Sequence, residues 1–108
     1  MPAILGPEEI ESHGLDDWRF LLRRLEATFR CATFGGAGRL VADIADAADA
    51  TDHHPDLDLR YPGVLHVALT THAAGARPTE LDVALARTIS ALAADAGASS
   101  EPATTQAL

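Results

Sequence analysis

The 108-residue sequence contains no lysine, only one cysteine and few aromatic residues. Its eight basic residues are all arginine, and 16 acidic residues give it a formal net charge of −8. The only basic cluster is the pair Arg23-Arg24. Because an acidic chain repels phosphate groups, we expect no direct partner among nucleic acids or anionic membrane surfaces.

Long apolar runs are also missing. None approaches the roughly 18–20 residues that a membrane-spanning helix needs, and the N-terminal residues lack the basic start and apolar centre of a signal peptide. The single cysteine, Cys31, cannot form an internal disulfide and has no neighbouring cysteine with which to chelate a metal. We therefore expect a soluble, cytoplasmic protein in which Cys31 is a small apolar strand residue.

The length allows one domain with one core. Hydrophobic residues make up 47% of the chain, but many are alanine and only 5% of all residues are aromatic. The area buried per residue is therefore modest, and association would add to it. We expect a homodimer or a homotetramer.

Hydrophobic periodicity predicts three helices. Proline and acidic residues from Pro7 onwards are typical of a first helical turn, and Gly14 is suited to ending that helix. Apolar residues at three- and four-residue spacing predict an amphipathic helix over about residues 35–52. Thr79 is a typical N-cap for a third helix that ends near Gly97.

Alternating patterns predict four strands. Residues 18–33 alternate as a β-hairpin does, and residues 57–61 and 64–72 form two more strands around a tight turn at Pro62-Gly63. The order α-β-β-α-β-β-α indicates an α+β domain, with three helices packed on one face of a four-stranded, mainly antiparallel sheet. Open edge strands would suit edge-to-edge pairing in a dimer.

We assign this domain to residues 1–97. Residues 98–108 are rich in Ala, Ser, Thr and Pro and show no periodicity. That composition predicts a flexible tail or the start of an interdomain linker.

Four of the five histidines lie between His53 and His72. Pro55 favours an extended conformation for His54 at the exit from the second helix, and Asp49 lies one helical turn before His53. His72 comes at the end of the fourth strand, where scaffolds commonly present functional groups. Imidazoles exchange protons near neutral pH, so their convergence would form an acid–base site.

Each of these residues also has a plainer interpretation. A histidine pair is often an ordinary surface feature, Asp49 could be a helix-surface acid, and Asp82 could be explained by favourable charge in a first helical turn. Trp18 is most simply a core or interface anchor. His66 is predicted to be a solvated or interface residue of its strand.

Other site chemistries fit less well. Zinc accepts three histidines and a water, but the HExxH pattern is absent and adjacent histidines rarely bind one ion together. The GxSxG turn of serine nucleophiles is absent too, as are the glycine patterns of phosphate loops. We therefore expect no metal site.

One ordered set of residues resembles the signature of the pterin-4a-carbinolamine dehydratase family. In chain order the set is Asp49, His53-His54-Pro55, Tyr61, Thr71-His72 and Asp82. The resemblance covers roughly residues 5 to 97 and implies the same order of helices and strands. It also implies elimination of water from a 4a-hydroxytetrahydropterin to give the quinonoid dihydropterin, with no metal or organic cofactor.

The resemblance further implies individual roles. His53 and His72 would protonate the departing 4a-hydroxyl, and His54 would bind and polarise the pterin ring. Asp49 and Asp82 would hold the imidazoles. Two further residues, Trp18 and Pro55, would complete the substrate site as supporting residues.

A second function class stays open. Relatives of this fold also act as non-catalytic binding, dimerisation or assembly modules, and some precede a glyoxalase-like domain. The composition of residues 98–108 would suit such a linker. The sequence is therefore compatible with both a pterin-binding enzyme and a binding module.

Overall fold

A computed structural model describes residues 2–107. It contains three α-helices, five strands and two 3₁₀ turns. In chain order these are α1 (Pro7–Ser12), β1 (Arg19–Leu21), β2 (Arg24–Arg30), α2 (Phe34–Thr51), β3 (Asp56–Arg60), β4 (Val64–Leu69), a first 3₁₀ turn (His72–Ala74), α3 (Glu80–Asp95), β5 (Ser99–Ser100) and a second 3₁₀ turn (Pro102–Thr104). Over the described residues, no helix is long and apolar enough to cross a membrane.

The strands form one antiparallel sheet in the order β1-β2-β4-β3, with the short β5 also paired to β2. Within the sheet, Phe29 of β2 lies opposite Leu65 of β4, and Leu57 of β3 lies opposite Val67. Because β3 and β4 are antiparallel, the start of β3 and the end of β4 lie at the same end of the sheet. The candidate site lies there.

The core lies between one face of the sheet and the three helices. Alternation along β2 and β4 directs one set of apolar side chains towards the helices. The buried cluster includes Leu25, Ala27 and Phe29 of β2, Leu65, Val67 and Leu69 of β4, and Ile10, Leu40, Ile44, Leu85 and Ile89 of the helices. The α+β class, the element order and the antiparallel sheet predicted from the sequence are confirmed.

The start of α2 packs closely against the start of β4. The Thr33 hydroxyl caps α2 by accepting a hydrogen bond from the Gly36 N–H at 2.9 Å. A Cβ on Gly63 would lie only 3.0 Å from the Thr33 carbonyl oxygen, so only glycine fits without displacing backbone.

Cys31 directly follows β2 and packs against the core, and this burial raises the pKa of its thiol.

The C-terminal segment, residues 99–107, contacts β2. Its Ser99–Ser100 pair with β2, and the Glu101 N–H donates to the Thr28 carbonyl at 2.9 Å. Arg30 holds the Glu101 carboxylate at 2.6 Å, and Thr105 is buried. No local pattern in the segment encodes these contacts with β2. A flexible tail or the start of an interdomain linker over residues 98–108 stays a prediction.

His66 is buried under this segment, not solvated. Its Nε2 donates to the Gln106 carbonyl at 2.9 Å and lies 3.1 Å from Oε1 of Glu26. Both residues belong to the sheet face opposite the helices, where Glu26 is fully buried. The C-terminal segment crosses this face and excludes water from the pair.

Candidate active site

The three histidines singled out by the sequence lie at one end of the sheet. His53 and His54 lie between α2 and β3, and His72 follows β4 directly after Thr70 and Thr71. Antiparallel pairing of β3 with β4 places these two connections beside each other. The sheet therefore brings together parts of the chain that are almost twenty residues apart.

The end of α2 sets the direction of the histidine pair. Asp52 adopts the left-handed conformation, with φ 50° and ψ 40°, and its N–H bonds to the last carbonyls of the helix. The next N–H, that of His53, donates to the Ala48 carbonyl at 3.2 Å. This is the Schellman arrangement, which ends a helix and reverses the chain. The reversal turns His53 towards α3.

His53 is paired with Asp82 of α3. Its Nε2 lies 2.6 Å from Oδ1 of Asp82, and the Asp82 side chain is fully buried, whereas that of His53 is 11% exposed. A buried carboxylate in contact with an imidazole can neutralise the charge that the ring carries when protonated. The favourable first-turn charge proposed from the sequence is thus only part of what Asp82 does.

The second carboxylate oxygen of Asp82 is also occupied. Oδ2 accepts from the Thr71 hydroxyl at 2.7 Å and from the Thr79 N–H at 2.9 Å. The sequence predicts Thr79 as an N-cap and includes Thr71 in the Thr71-His72 motif. It does not predict that either residue bonds to Asp82. The spacing Thr79-x-x-Asp82 is a capping-box pattern and was the signal available.

His54 pairs with Asp49. Its Nε2 lies 2.9 Å from Oδ1 of Asp49, and both side chains are largely exposed. The sequence predicts that Asp49, one helical turn before His53, lies within reach of an imidazole. Because the chain reverses at Asp52, the imidazole that Asp49 contacts is that of His54. Pro55, half-buried, separates this pair from β3.

His72 begins the first 3₁₀ turn and is exposed. Within residues 2–107 its ring has no hydrogen-bond partner. Its backbone is held instead: the Gly75 N–H donates to the His72 carbonyl at 3.1 Å, and Thr71 next to it forms a bridge with Arg77. The imidazole is therefore presented to solvent on an ordered backbone.

Two residues of the predicted constellation lie elsewhere. Trp18 is buried in the core, where its Nε1 donates to the Ser90 hydroxyl at 2.9 Å and its ring meets that of Phe29 edge-on. Tyr61 is exposed in the turn after β3, at the end of that strand opposite to His54. The structure shows no contact between either residue and the imidazoles, which favours the plainer interpretation of Trp18 as a core anchor.

The large cavity beside Trp18 lies apart from the three histidines. A cavity of about 640 Å³ lies beside Trp18, between α1 and β1, and the three histidines do not line it. Among residues 2–107, no group of three or more His, Cys, Asp or Glu side chains is arranged to hold a metal ion. At the end of the sheet His53 is nearly buried, whereas His54 and His72 are exposed.

This arrangement of sheet, helices and connections is found in a solved pterin dehydratase structure. The chain resembles the crystal structure of the transcriptional coactivator/pterin dehydratase from Brucella melitensis, with a TM-score of 0.78 and 29% sequence identity. The match covers 84% of this chain and 99% of the Brucella chain. The fold is therefore that of the pterin dehydratases.

Sequence comparisons define the family. The model of the family described as pterin 4 alpha carbinolamine dehydratase matches residues 4–92, and the chain belongs to this family. A Streptomyces coelicolor protein, provisionally named a pterin-4-alpha-carbinolamine dehydratase, is 40% identical over 101 residues, which cover 91% of this chain and 99% of that protein. A Chloroflexus aurantiacus protein with the same provisional name is 47% identical over 73 residues, 68% of this chain and 76% of its own. The resemblance noted in the sequence is confirmed.

Proposed function

We propose that this protein is a hydro-lyase that dehydrates a 4a-hydroxytetrahydropterin to the quinonoid dihydropterin, and that it serves tetrahydropterin recycling. In the reaction the C4a–O bond breaks and the hydroxyl leaves as water after receiving a proton. The N5 proton passes to a neutral imidazole of the site or to water, and a C4a=N5 double bond forms. No electrons are gained or lost overall, so the step needs no redox cofactor.

The pairing of His53 with Asp82, beside two further imidazoles, is the observation that supports the proposal most strongly. Hydroxide is a poor leaving group, so the elimination needs an acid at the departing oxygen and a base near N5. Imidazole performs both tasks near neutral pH. The contact of 2.6 Å with a buried carboxylate holds the His53 ring in one orientation.

The proposed roles follow the surroundings of each ring. His53 and His72 donate the proton to the 4a-hydroxyl: His53 is supported by Asp82, and His72 is free to approach a ligand from solvent. His54, held by Asp49, binds and polarises the pterin ring. Pro55 shapes the connection that presents His54, and Trp18 supports the site only through the core.

Stopped-flow decay of freshly generated 4a-hydroxytetrahydropterin tests this function directly. We expect the intact protein to accelerate the decay, and the double variant His54→Ala, His72→Ala to lose that acceleration. His13→Gln is the matched control, because the His13 ring contacts Glu80 at 3.0 Å and Arg87 at 3.3 Å and none of the three imidazoles. No acceleration by folded protein at micromolar concentration, or equal acceleration by the double variant, would refute the proposal.

A non-catalytic binding, dimerisation or assembly module is the second candidate. The Brucella melitensis protein is described as a transcriptional coactivator as well as a pterin dehydratase, which supports a binding role for a protein of this fold. Such a module would bind a pterin or a protein partner without accelerating dehydration. The same assay separates the two candidates, since only the enzyme shortens the lifetime of the carbinolamine.

We also retain the prediction of a homodimer or homotetramer. In the described residues β3 pairs on one side only, with β4, so its other backbone edge is open to a strand of a second chain. Light scattering coupled to gel filtration distinguishes monomer, dimer and tetramer. The cytoplasmic location likewise remains a prediction from composition.

A further inference from the structure

A buried group of three side chains lies behind the exposed imidazoles. Asp82 and Thr79 are fully buried and Thr71 is 3% exposed. The three are joined by contacts of 2.7–2.9 Å: from the Thr71 hydroxyl to Oδ2 of Asp82, from the Thr79 N–H to the same oxygen, and between the two threonine hydroxyls. The group is shielded from water, so its hydrogen bonds must be satisfied internally.

The protons of this group can be assigned one by one. Thr71 has a single hydroxyl proton, and an ionised carboxylate only accepts, so that proton is given to Asp82. The contact of 2.7 Å between the hydroxyls must then have Thr79 as donor. The Thr79 oxygen in turn accepts from the Leu81 N–H at 3.2 Å. The hydrogen bonds therefore run in one direction, from the start of α3 through both threonines to Oδ2 of Asp82.

This order leaves only Oδ1 of Asp82 for His53. Because Oδ1 accepts, the His53 nitrogen that faces it, Nε2, carries a proton. In the neutral ring the other nitrogen, Nδ1, is then the one without a proton. Within residues 2–107, Nδ1 has no hydrogen-bond partner.

We propose that Thr71 and Thr79 are positioning residues for the dehydration. By holding Oδ2 they fix the plane of the Asp82 carboxylate, keep neutral His53 as the Nε2–H tautomer and leave Nδ1 as the nitrogen that exchanges protons with the pterin. The assignment of Nδ1 to the substrate rests on the proposed function, whereas the tautomer does not. Thr71 also connects the positions of His53 and His72. Its side chain bonds to Asp82, the partner of His53, and the next residue in the chain is the exposed His72.

A capping box alone does not account for this geometry. In a capping box the carboxylate three residues after the N-cap returns one oxygen to the N-cap N–H at a helix surface. Here the carboxylate is fully buried, and its other oxygen serves a residue 29 positions earlier in the chain. Thr71, 11 positions before Asp82, lies outside the helix altogether. A cap would need neither contact.

The test compares Thr71→Val, which keeps the shape but removes the hydroxyl, with Thr71→Ser, which keeps the hydroxyl. Long-range ¹H–¹⁵N NMR of the full chain reports the tautomer of His53 at a pH where its ring is neutral. We expect Nε2–H in the native protein and in Thr71→Ser, and a mixture with Nδ1–H in Thr71→Val. Thr71→Ala gives the same comparison if the valine variant does not fold.

Kinetics supply the second readout. We expect Thr71→Val to lower kcat about 10-fold with KM little changed, since acid–base steps depend on ring orientation, and Thr71→Ser to restore kcat to within about twofold. Thr88→Val is the matched control, because the Thr88 hydroxyl bonds only within its own helix, to the Ala84 carbonyl at 3.2 Å. Its kcat and its His53 tautomer should equal those of the native protein.

The tautomer decides the inference even if the native protein shows no dehydratase activity. An Nδ1–H tautomer in the native protein, or a tautomer ratio that Thr71→Val leaves unchanged, overturns it. A ratio that shifts in Thr71→Val and is restored in Thr71→Ser upholds the positioning role. Failure of the proposed function would appear separately, as a native protein with the expected tautomer and no acceleration.

Discussion

The Nε2 atom of His66 lies 3.1 Å from Oε1 of Glu26 on the sheet face opposite the helices. Neither oxygen of the Glu26 carboxylate has a hydrogen bond of acceptable geometry among residues 2–107, although the group is fully buried. Arg24 is a cation nearby, at 3.9 Å from Oε2. A buried carboxylate so poorly bonded depends on the proximity of positive charge.

Replacing His66 alone should therefore lower the free energy of unfolding more than replacing His66 and Glu26 together. We expect His66→Leu to lower the free energy of unfolding by about 3 kcal/mol, because Glu26 is then left buried without the imidazole that lies beside it. Adding Glu26→Leu should recover most of that loss. Urea unfolding of the two single variants and the double variant measures the coupling, and additive costs would contradict this account.

Asp82→Asn should impair both stability and catalysis. The amide has one acceptor oxygen where the carboxylate uses two, so its NH₂ group must face either His53 or the donors on Thr71 and Thr79. We expect a loss of about 1–2 kcal/mol in the free energy of unfolding and about a 100-fold slower dehydration. Stopped-flow assays on folded protein measure the second effect.

Asp95→Asn is the control for that substitution, since Asp95 is an exposed residue at the end of α3. It should match the native protein in both measurements. A native rate in Asp82→Asn would show that the buried carboxylate is not needed to orient His53.

The C-terminal segment should respond to acid through Glu101. The hydrogen bond from Arg30 holds the pKa of the Glu101 carboxyl below its ordinary value of 4.5. A lowered folded-state pKa stabilises the protein above the unfolded pKa, and this contribution is lost as the pH falls through the folded pKa. Glu101→Gln should therefore be less stable than the native protein at pH 7, with the difference vanishing in acid.

Unfolding of both proteins in denaturant at several pH values from 7 downwards checks this direction. Amide hydrogen exchange at Glu101 adds a local readout, because its N–H donates to the Thr28 carbonyl. Its protection should fall in Glu101→Gln at neutral pH. A difference that grows as the pH falls would contradict the sign.

Asp52 should tolerate glycine and reject a β-branched residue. Its left-handed conformation, with φ 50°, ends α2 and turns His53 towards Asp82. We expect Asp52→Val to cost about 1–2 kcal/mol in the free energy of unfolding, because a branched Cβ clashes in this conformation. Asp52→Gly should stay within about 1 kcal/mol of the native protein.

Asp46→Val, at an exposed position inside α2, controls for the lower helix propensity of valine. Thermal unfolding of the three variants measures the differences. Equal losses in Asp52→Val and Asp46→Val would show that the left-handed position carries no special cost.

The element order could be read from the chain because it depends on local periodicity, and the members of the histidine cluster could be read because they belong to the ordered motif from Asp49 to Asp82. Periodicity of 3.6 or 2 residues predicts helices and strands, and Thr79 predicts where α3 begins. Antiparallel pairing of the last two strands then places His53, His54 and His72 at the same end of the sheet. The resemblance to a known family selected these three histidines, which periodicity alone does not do.

Only the tertiary structure decided which groups are partners, because each partnership joins distant parts of the chain. His53 meets Asp82 29 residues away, Trp18 meets Ser90 72 residues away, and His66 meets the Gln106 carbonyl 40 residues away. No periodicity encodes such pairs. Packing of α3 near the end of α2 places Asp82 beside His53, and Ser99–Ser100 pair with β2 although their composition predicts no strand.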